Sequence, residues 1–231
     1  MKECLVLFSG GIDSTTALFW ARSCYDRVSA LSFDYGQRHR VELALARRLT
    51  RRLQIPHRTL RLDLRQVGGS SLTDASIPLP EFENAEEIAP GIPPTYVPFR
   101  NGIFLALAAA WAEVKGIRDI ICGFNTLDSP NYPDTRAAFV KAMEKAINQG
   151  TKPVSTGQKM SIIAPFIRMK KSAIIKKGLS LGADYSCSIS CYRGDEIPCA
   201  KCSSCLLRER AWREAGVKDH LLQRLKKEGK L

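Results

Sequence analysis

Two groups of residues in this sequence are spaced for chemistry. Ser9-Gly10-Gly11-Ile12-Asp13-Ser14-Thr15-Thr16 packs two glycines, four hydroxyls and a carboxylate into one stretch, directly after the apolar run CLVLF. Glycines let a backbone approach an anion closely. The first turn of a following helix offers unpaired N–H groups and a partial positive charge. Such a corner holds phosphate with neutral donors. A capped turn, with Ser9 or Asp13 serving the helix amides, is the plainer alternative, but this density of donors exceeds what a cap uses. The second group is Cys191-x7-Cys199-x2-Cys202-x2-Cys205. Four thiolates in one short loop suit a closed tetrahedral zinc site; an iron–sulfur cluster is the rival with the same ligand set.

The elements that must position these groups alternate. Strand-length apolar or alternating runs cover 4–8, 28–33, 57–64, 118–124 and 160–166. Helical patterns cover 13–24, 39–53, 99–116, 134–150 and 170–182, with Gly116 ending the third. Residues 66–97 are rich in Gly, Ser, Pro and acid and read as a long functional loop. This alternation predicts an α/β fold: a parallel five-stranded sheet with helices on both faces. Ligands of such sheets bind where strand carboxyl ends meet helix amino ends. SGGIDSTT, GFNTLDSPNYPD (123–134) and PFIRMK (165–170) all occupy that edge.

Composition narrows the classes. The 231 residues are 45% hydrophobic and 25% charged, ordinary for a globular protein. No apolar run is long enough to span a bilayer and none reads as a signal peptide, so a cytoplasmic protein without membrane partners is expected. Eight cysteines in a reducing compartment argue against a disulfide scaffold. The net charge of +12 attracts polyanions, but the basic residues are scattered over helix faces without interleaved aromatics. Nucleic acid is therefore not expected as the principal partner.

No lysine follows the glycines as in a GxxxxGK[ST] loop, and SGGxDS instead resembles the PP-loop of the ATP pyrophosphatases, which cleave ATP to AMP and pyrophosphate. DYGQRHRVEL (34–43), VPFRNGIFLALAAAWAE (97–113), GFNTLDSPNYPDTRAAF (123–139) and SCYRGDEIPCAKCSSC (190–205) further resemble the 7-cyano-7-deazaguanine (preQ0) synthase family. The resemblance runs from Ser9 to about Gly216. It implies an adenine nucleotide alpha-hydrolase-like fold and conversion of 7-carboxy-7-deazaguanine, ammonia and ATP to the nitrile precursor of queuosine. It also implies Mg²⁺, Zn²⁺ and a homodimer. The expected organisation is a nucleotide-binding domain over 1–183 and a zinc-binding loop with C-terminal helices over 184–231.

Carried over residue by residue, the resemblance implies ATP contacts from Ser9, Gly10, Gly11, Ile12, Asp13, Ser14, Thr15, Asp34 and Gln37. It implies catalytic roles for Asp13, Ser14, Arg100, Asn101, Asp134, Arg136 and Lys171, with Lys170 the neighbouring alternative to Lys171. Arg100 is a misfit at a positive helix start unless an anion lies nearby. Asp134 either accepts from the N–H edge of the deazaguanine or assists Mg²⁺, and Asp128 competes for the same assignment. Tyr132 either stacks on a base or is a core tyrosine, and His39 either faces the ligand or starts a helix. Thr135 stands where the family pattern has Cys. No glutaminase-like Cys–His–acid domain is present, so ammonia is expected free or from a partner. A tRNA-thiolating enzyme of the same fold and a nucleotide-sensing module are the competing classes.

Overall fold

The computed structural model describes residues 1–127, 132–152 and 157–231; Asp128 lies outside the described residues. Five strands, β1 (Glu3–Leu7), β2 (Arg27–Asp34), β3 (His57–Arg61), β4 (Asp119–Cys122) and β5 (Ser161–Ile163), form one sheet in the order β3-β2-β1-β4-β5. Every neighbouring pair is parallel. The chain steps outward from β1 to β2 and β3, then returns to the other side of β1 with β4. That reversal opens a crevice beyond the carboxyl ends of β1 and β4.

The central strand is buried on both faces, with Cys4, Leu5 and Val6 fully shielded. Alternation sends Cys4, Val6 and Phe8 to one side, against α1 (Ile12–Cys24), α2 (Val41–Arg52) and α5 (Lys171–Ser180). Leu5 turns to the other, against α3 (Arg100–Lys115) and α4 (Ala137–Gly150). The expected parallel sheet covered on both faces is thus what forms. Burial pushes the Cys4 thiol up to about 12, as expected of an inert core cysteine. Helices α6 (Ser203–Ala215) and α7 (His220–Lys227) complete the chain. Cys187, Ile189, Leu221 and Leu225 share the apolar cluster of Cys4 and Val6, so the C-terminal segment packs on the same side as α1. No helix among the described residues is long and apolar enough to cross a membrane.

Several elements differ from the sequence expectation, and of the strand expected over 160–166 only Ser161–Ile163 forms. The helix anticipated over 134–150 is broken: Pro133–Thr135 makes a single 3₁₀ turn, Arg136 is extended, and α4 starts at Ala137. Pro133 at the first position of the turn favours this start. The Asp134 carboxylate holds the turn to α3 by accepting the Asn101 amide at 2.9 Å. The strand over 57–64 stops at Arg61, where the chain enters a 3₁₀ turn, Leu64–Gln66, capped by Asp63.

Candidate active site

The corner between β1 and α1 is shaped by its glycines. Gly10 sits at φ +84°, a conformation L side chains rarely adopt, and a Cβ there would meet Ala46 and the Glu42 carbonyl at 3.3 Å. Gly11 precedes α1 and no side chain caps the helix. The hydroxyls bind the loop to itself: Gly11 N donates to Ser9 Oγ at 3.3 Å, Ser14 Oγ donates to the Gly11 carbonyl at 3.1 Å, and the two serine oxygens lie 3.0 Å apart. The capped-turn alternative is therefore not the arrangement adopted. From β4, Gly123 presses so close that a Cβ would lie 2.7 Å from the backbone of Asp13 and Ser14. On the opposite side Ile189 N donates to the Gly10 carbonyl at 3.2 Å, tying the C-terminal segment to the loop.

Ser9, Gly11, Ile12, Asp13 and Ser14 line a cavity of about 280 Å³ together with Arg100, Asn101 and Lys171. Lys171, the first residue of α5, places Nζ 2.6 Å from Asp13 Oδ2, while Asp13 Oδ1 is buried without a hydrogen-bond partner. Arg100 opens α3. It donates to the Tyr35 hydroxyl at 3.2 Å and lies 5.7 and 5.9 Å from the Tyr35 and Phe104 ring centres. Burial opposes its charge, but the Tyr35 and Tyr132 phenols and the Asp134 carboxylate outweigh that and hold its pKa high. Its Nε has no hydrogen-bond partner, and among the described residues it forms no ion pair.

Other sequence-predicted residues lie elsewhere. Gly10 and Thr15 support the loop from behind, Thr15 being fully buried. Asp134 is 3% exposed beneath the start of α3 and does not line the cavity. Arg136 is exposed ahead of α4. Asp34 pairs with Arg40 and faces a separate groove with Arg47 and Arg51. Gln37 is clamped, accepting from Tyr35 N at 2.8 Å and donating to the Phe33 carbonyl at 3.2 Å and to Glu42 Oε1 at 3.1 Å. Tyr132 bonds Thr95 at 2.9 Å, and Thr135 donates to the Tyr132 carbonyl at 2.9 Å; both reach the cavity wall.

Glu42, Tyr35, Tyr192 and Arg208 also line the cavity, although their residue types and spacing did not single them out. Glu42 lies in the first turn of α2, where the helical stripe of Leu43, Leu45 and Leu49 draws attention to the apolar face. Burial raises its carboxyl to about 7, with the Gln37 hydrogen bond and Arg100 drawing it partly back. His39, 3.6 Å from Glu42, is held neutral: burial, aided by Arg100, lowers it to about 3. Arg208 is 4% exposed and gripped by Asp219 at 2.5 and 2.7 Å. No sequence signal separates it from Arg210 and Arg213 of the same helix, because its burial comes from tertiary packing.

The four predicted metal cysteines converge, their Sγ atoms all within 4.8 Å of one another. Backbone amides of Cys199 and Cys202 point at the sulfurs of Cys191 and Cys199, at 3.4 and 3.3 Å. Such donors favour thiolates, and hydrogen bonds from Cys202 and Cys205 draw the Cys191 thiol strongly down. Four convergent sulfurs with amide support fit a tetrahedral thiophilic cation. Ser190 and Ser204, each adjacent to a cluster cysteine, belong to the cavity wall, so the cluster stands directly behind the site.

A doubly wound parallel sheet whose first strand delivers a glycine–serine corner into a cavity defines a nucleotide-binding α/β protein of the PP-loop kind. A solved 4-thiouridine synthetase, in complex with RNA and with bound ATP, shares this fold with a TM-score of 0.52 at 18% identity, over 93% of this chain and 50% of that one. The chain belongs to the family of the queuosine biosynthesis protein QueC, which matches residues 3–216. Among its relatives, the 7-cyano-7-deazaguanine synthase of Dechloromonas aromatica is 48% identical over 227 residues, covering 97% of this chain and 99% of the relative. That of Thiobacillus denitrificans is 48% identical over 95% of this chain and 97% of its own.

Proposed function

We propose that this chain makes 7-cyano-7-deazaguanine from 7-carboxy-7-deazaguanine, ammonia and ATP. A carboxylate oxygen attacks the α-phosphorus of ATP and pyrophosphate leaves. Ammonia displaces AMP from the acyl adenylate to give the primary amide. The amide oxygen then attacks a second ATP in the same way, and loss of AMP and of both protons on nitrogen leaves the nitrile. Adenylation is what turns each carbon-bound oxygen into a leaving group. The observation that carries this reading is the cavity that joins Ser9, Gly11, Asp13, Ser14, Lys171 and Arg100, in a chain so similar over its whole length to synthases of this name.

In this reading the uncapped amides after Gly11 and the hydroxyls of Ser9 and Ser14 hold the pyrophosphate. Lys171, fixed by Asp13 at 2.6 Å, offsets charge at the reacting phosphorus, the largest kind of catalytic term in such sites. Mg²⁺ would neutralise phosphate charge when bound with ATP, and the unpartnered Asp13 Oδ1 suits it. Arg100 receives the substrate carboxylate beside Asn101. Asp134 acts as a positioning residue through the Asn101 amide, whereas Arg136 has a role by resemblance alone. Gln37 shapes the ATP side through the Tyr35 turn, with Asp34 at its margin.

Zn²⁺ at the cysteine cluster serves structure, with 184–231 as a metal-tied extension of the 1–183 nucleotide-binding domain. The thiols of Cys4, Cys24, Cys122 and Cys187, outside the cluster, suit the cytoplasmic setting proposed for the chain. A homodimer is supported by Ala106, Ala110 and Val114, which form an exposed apolar line along α3.

The test is incubation with 7-carboxy-7-deazaguanine, ammonia and Mg-ATP, with mass detection of nitrile and AMP. Release of ADP, or absence of the nitrile, overturns the assignment. Supplying the amide with ATP alone must also yield nitrile if one site performs both rounds. Tight tRNA binding with a steep salt dependence in place of turnover would favour the tRNA-modifying class.

A further inference from the structure

We propose that Glu42 reads the pyrimidine edge of the deazapurine, accepting its ring N–H and 2-amino hydrogens; this rests on the deazaguanine reading above. Asp13 and Glu42 are the carboxylates among the described residues on the cavity wall. Asp13 is committed to Lys171 at the phosphate corner. Glu42 has no lysine or arginine within ion-pair distance among the described residues, and its neighbour His39 is neutral.

Its orientation is built in. Gln37, 1% exposed and held by the backbone of Tyr35 and Phe33, spends its remaining N–H on Glu42 Oε1. A side chain fixed so firmly has already lost the rotamer freedom that ligand binding would otherwise cost. Arg100 is close enough to influence Glu42 electrostatically yet does not pair with it. Opposite charges on one wall that stay apart leave room for a polar ligand between them. Tyr35, Phe104 and Tyr192 supply flat apolar surface for a ring.

The chemistry selects the ligand edge. A 2-amino-4-oxo pyrimidine ring presents adjacent in-plane N–H donors, which match the two oxygens of one carboxylate as a bidentate, charge-assisted pair. Adenine offers a donor beside an acceptor there, so the same carboxylate disfavours adenine at this position. Phosphate is disfavoured by like charge. Glu42 thus separates the two heterocycles that the cavity must accept.

The experiment uses the intact protein and the uncharged nitrile product as probe, which isolates the ring edge from the carboxylate. For E42Q the nitrile Kd is expected to rise at least about 30-fold, the scale of a lost charge-assisted hydrogen bond, with the ATP Kd unchanged within about twofold. The 2-desamino analogue should cost the parent protein about tenfold and cost E42Q almost nothing further, because the two changes remove one interaction. Equal nitrile binding by E42Q, an equal loss of ATP binding, or fully additive losses would overturn the proposal. If E42Q does not fold, Glu42→Asp replaces it and must weaken the nitrile selectively. A parent protein that neither binds nor converts the deazapurine sinks the functional reading itself; one that converts it while E42Q binds the nitrile normally sinks only the edge assignment.

Discussion

Replacing Glu42 with glutamine is expected to stabilise the unliganded chain, by an amount that grows with pH. An ordinary glutamate releases its proton near 4.5, whereas burial holds Glu42 to about 7. Between these values the native state carries a proton that the unfolded chain has lost, so this group's contribution falls as pH rises through the window. Below 4.5 both states are protonated and the contribution is fully present; above 7 it is gone. At about 1.4 kcal/mol per decade the whole window amounts to roughly 3 kcal/mol, under about 1 kcal/mol of it lost by pH 5. Glutamine has no proton to lose. Denaturant unfolding of both proteins at pH 5, 6, 7 and 8 isolates the effect, because the difference between them cancels every other titrating group. The variant should gain about 2 kcal/mol relative to the parent between pH 5 and pH 8. A difference flat within about 0.5 kcal/mol, or one of opposite slope, would refute the reasoning about burial.

Three further outcomes are expected. Gly123→Ala drives a methyl into the backbone of Asp13 and Ser14; it should cost about 1–3 kcal/mol of stability by overpacking and weaken ATP binding at least about tenfold, measured by melting and calorimetry. Lys171→Met should lower kcat about 10²- to 10³-fold while leaving the KM for the deazapurine within a few-fold, in steady-state assays of AMP release. Cys202→Ser, or treatment with a strong chelator, should abolish stoichiometric metal binding and lower the melting temperature, because binding free energy at such a site is folding free energy; elemental analysis and calorimetry check it.

What could be read from sequence was what is local. CLVLF followed by SGGIDS states both the buried strand and the corner, because strand burial, glycine freedom and helix start all act within a few residues. The same holds for the cysteine spacing, whose sulfurs meet between one loop and the first turn of α6. Glu42 and Arg208 escaped because their roles depend on tertiary packing. Each sits on a helix whose apolar stripe dominates the pattern, and only the packing of α2 beside the sheet and of α6 beside α5 and Asp219 turns the charge inward. Asp34 shows the converse. It ends β2 where ligands are expected, but the side-chain alternation that turns Phe33 towards α3 aims Asp34 at the Arg40 side. The turn at Pro133 was hidden by a helical pattern that continued through it, and the contact that holds it, Asp134 to Asn101, spans distant segments.

The bond from Ile189 to the Gly10 carbonyl has a consequence for the newborn polypeptide. The phosphate corner is translated well before the last side of its wall, Ile189 to Arg208, which arrives nearly two hundred residues later. A ribosome-bound fragment that stops short of Ile189 therefore owns the nucleotide loop without the last side of its chamber.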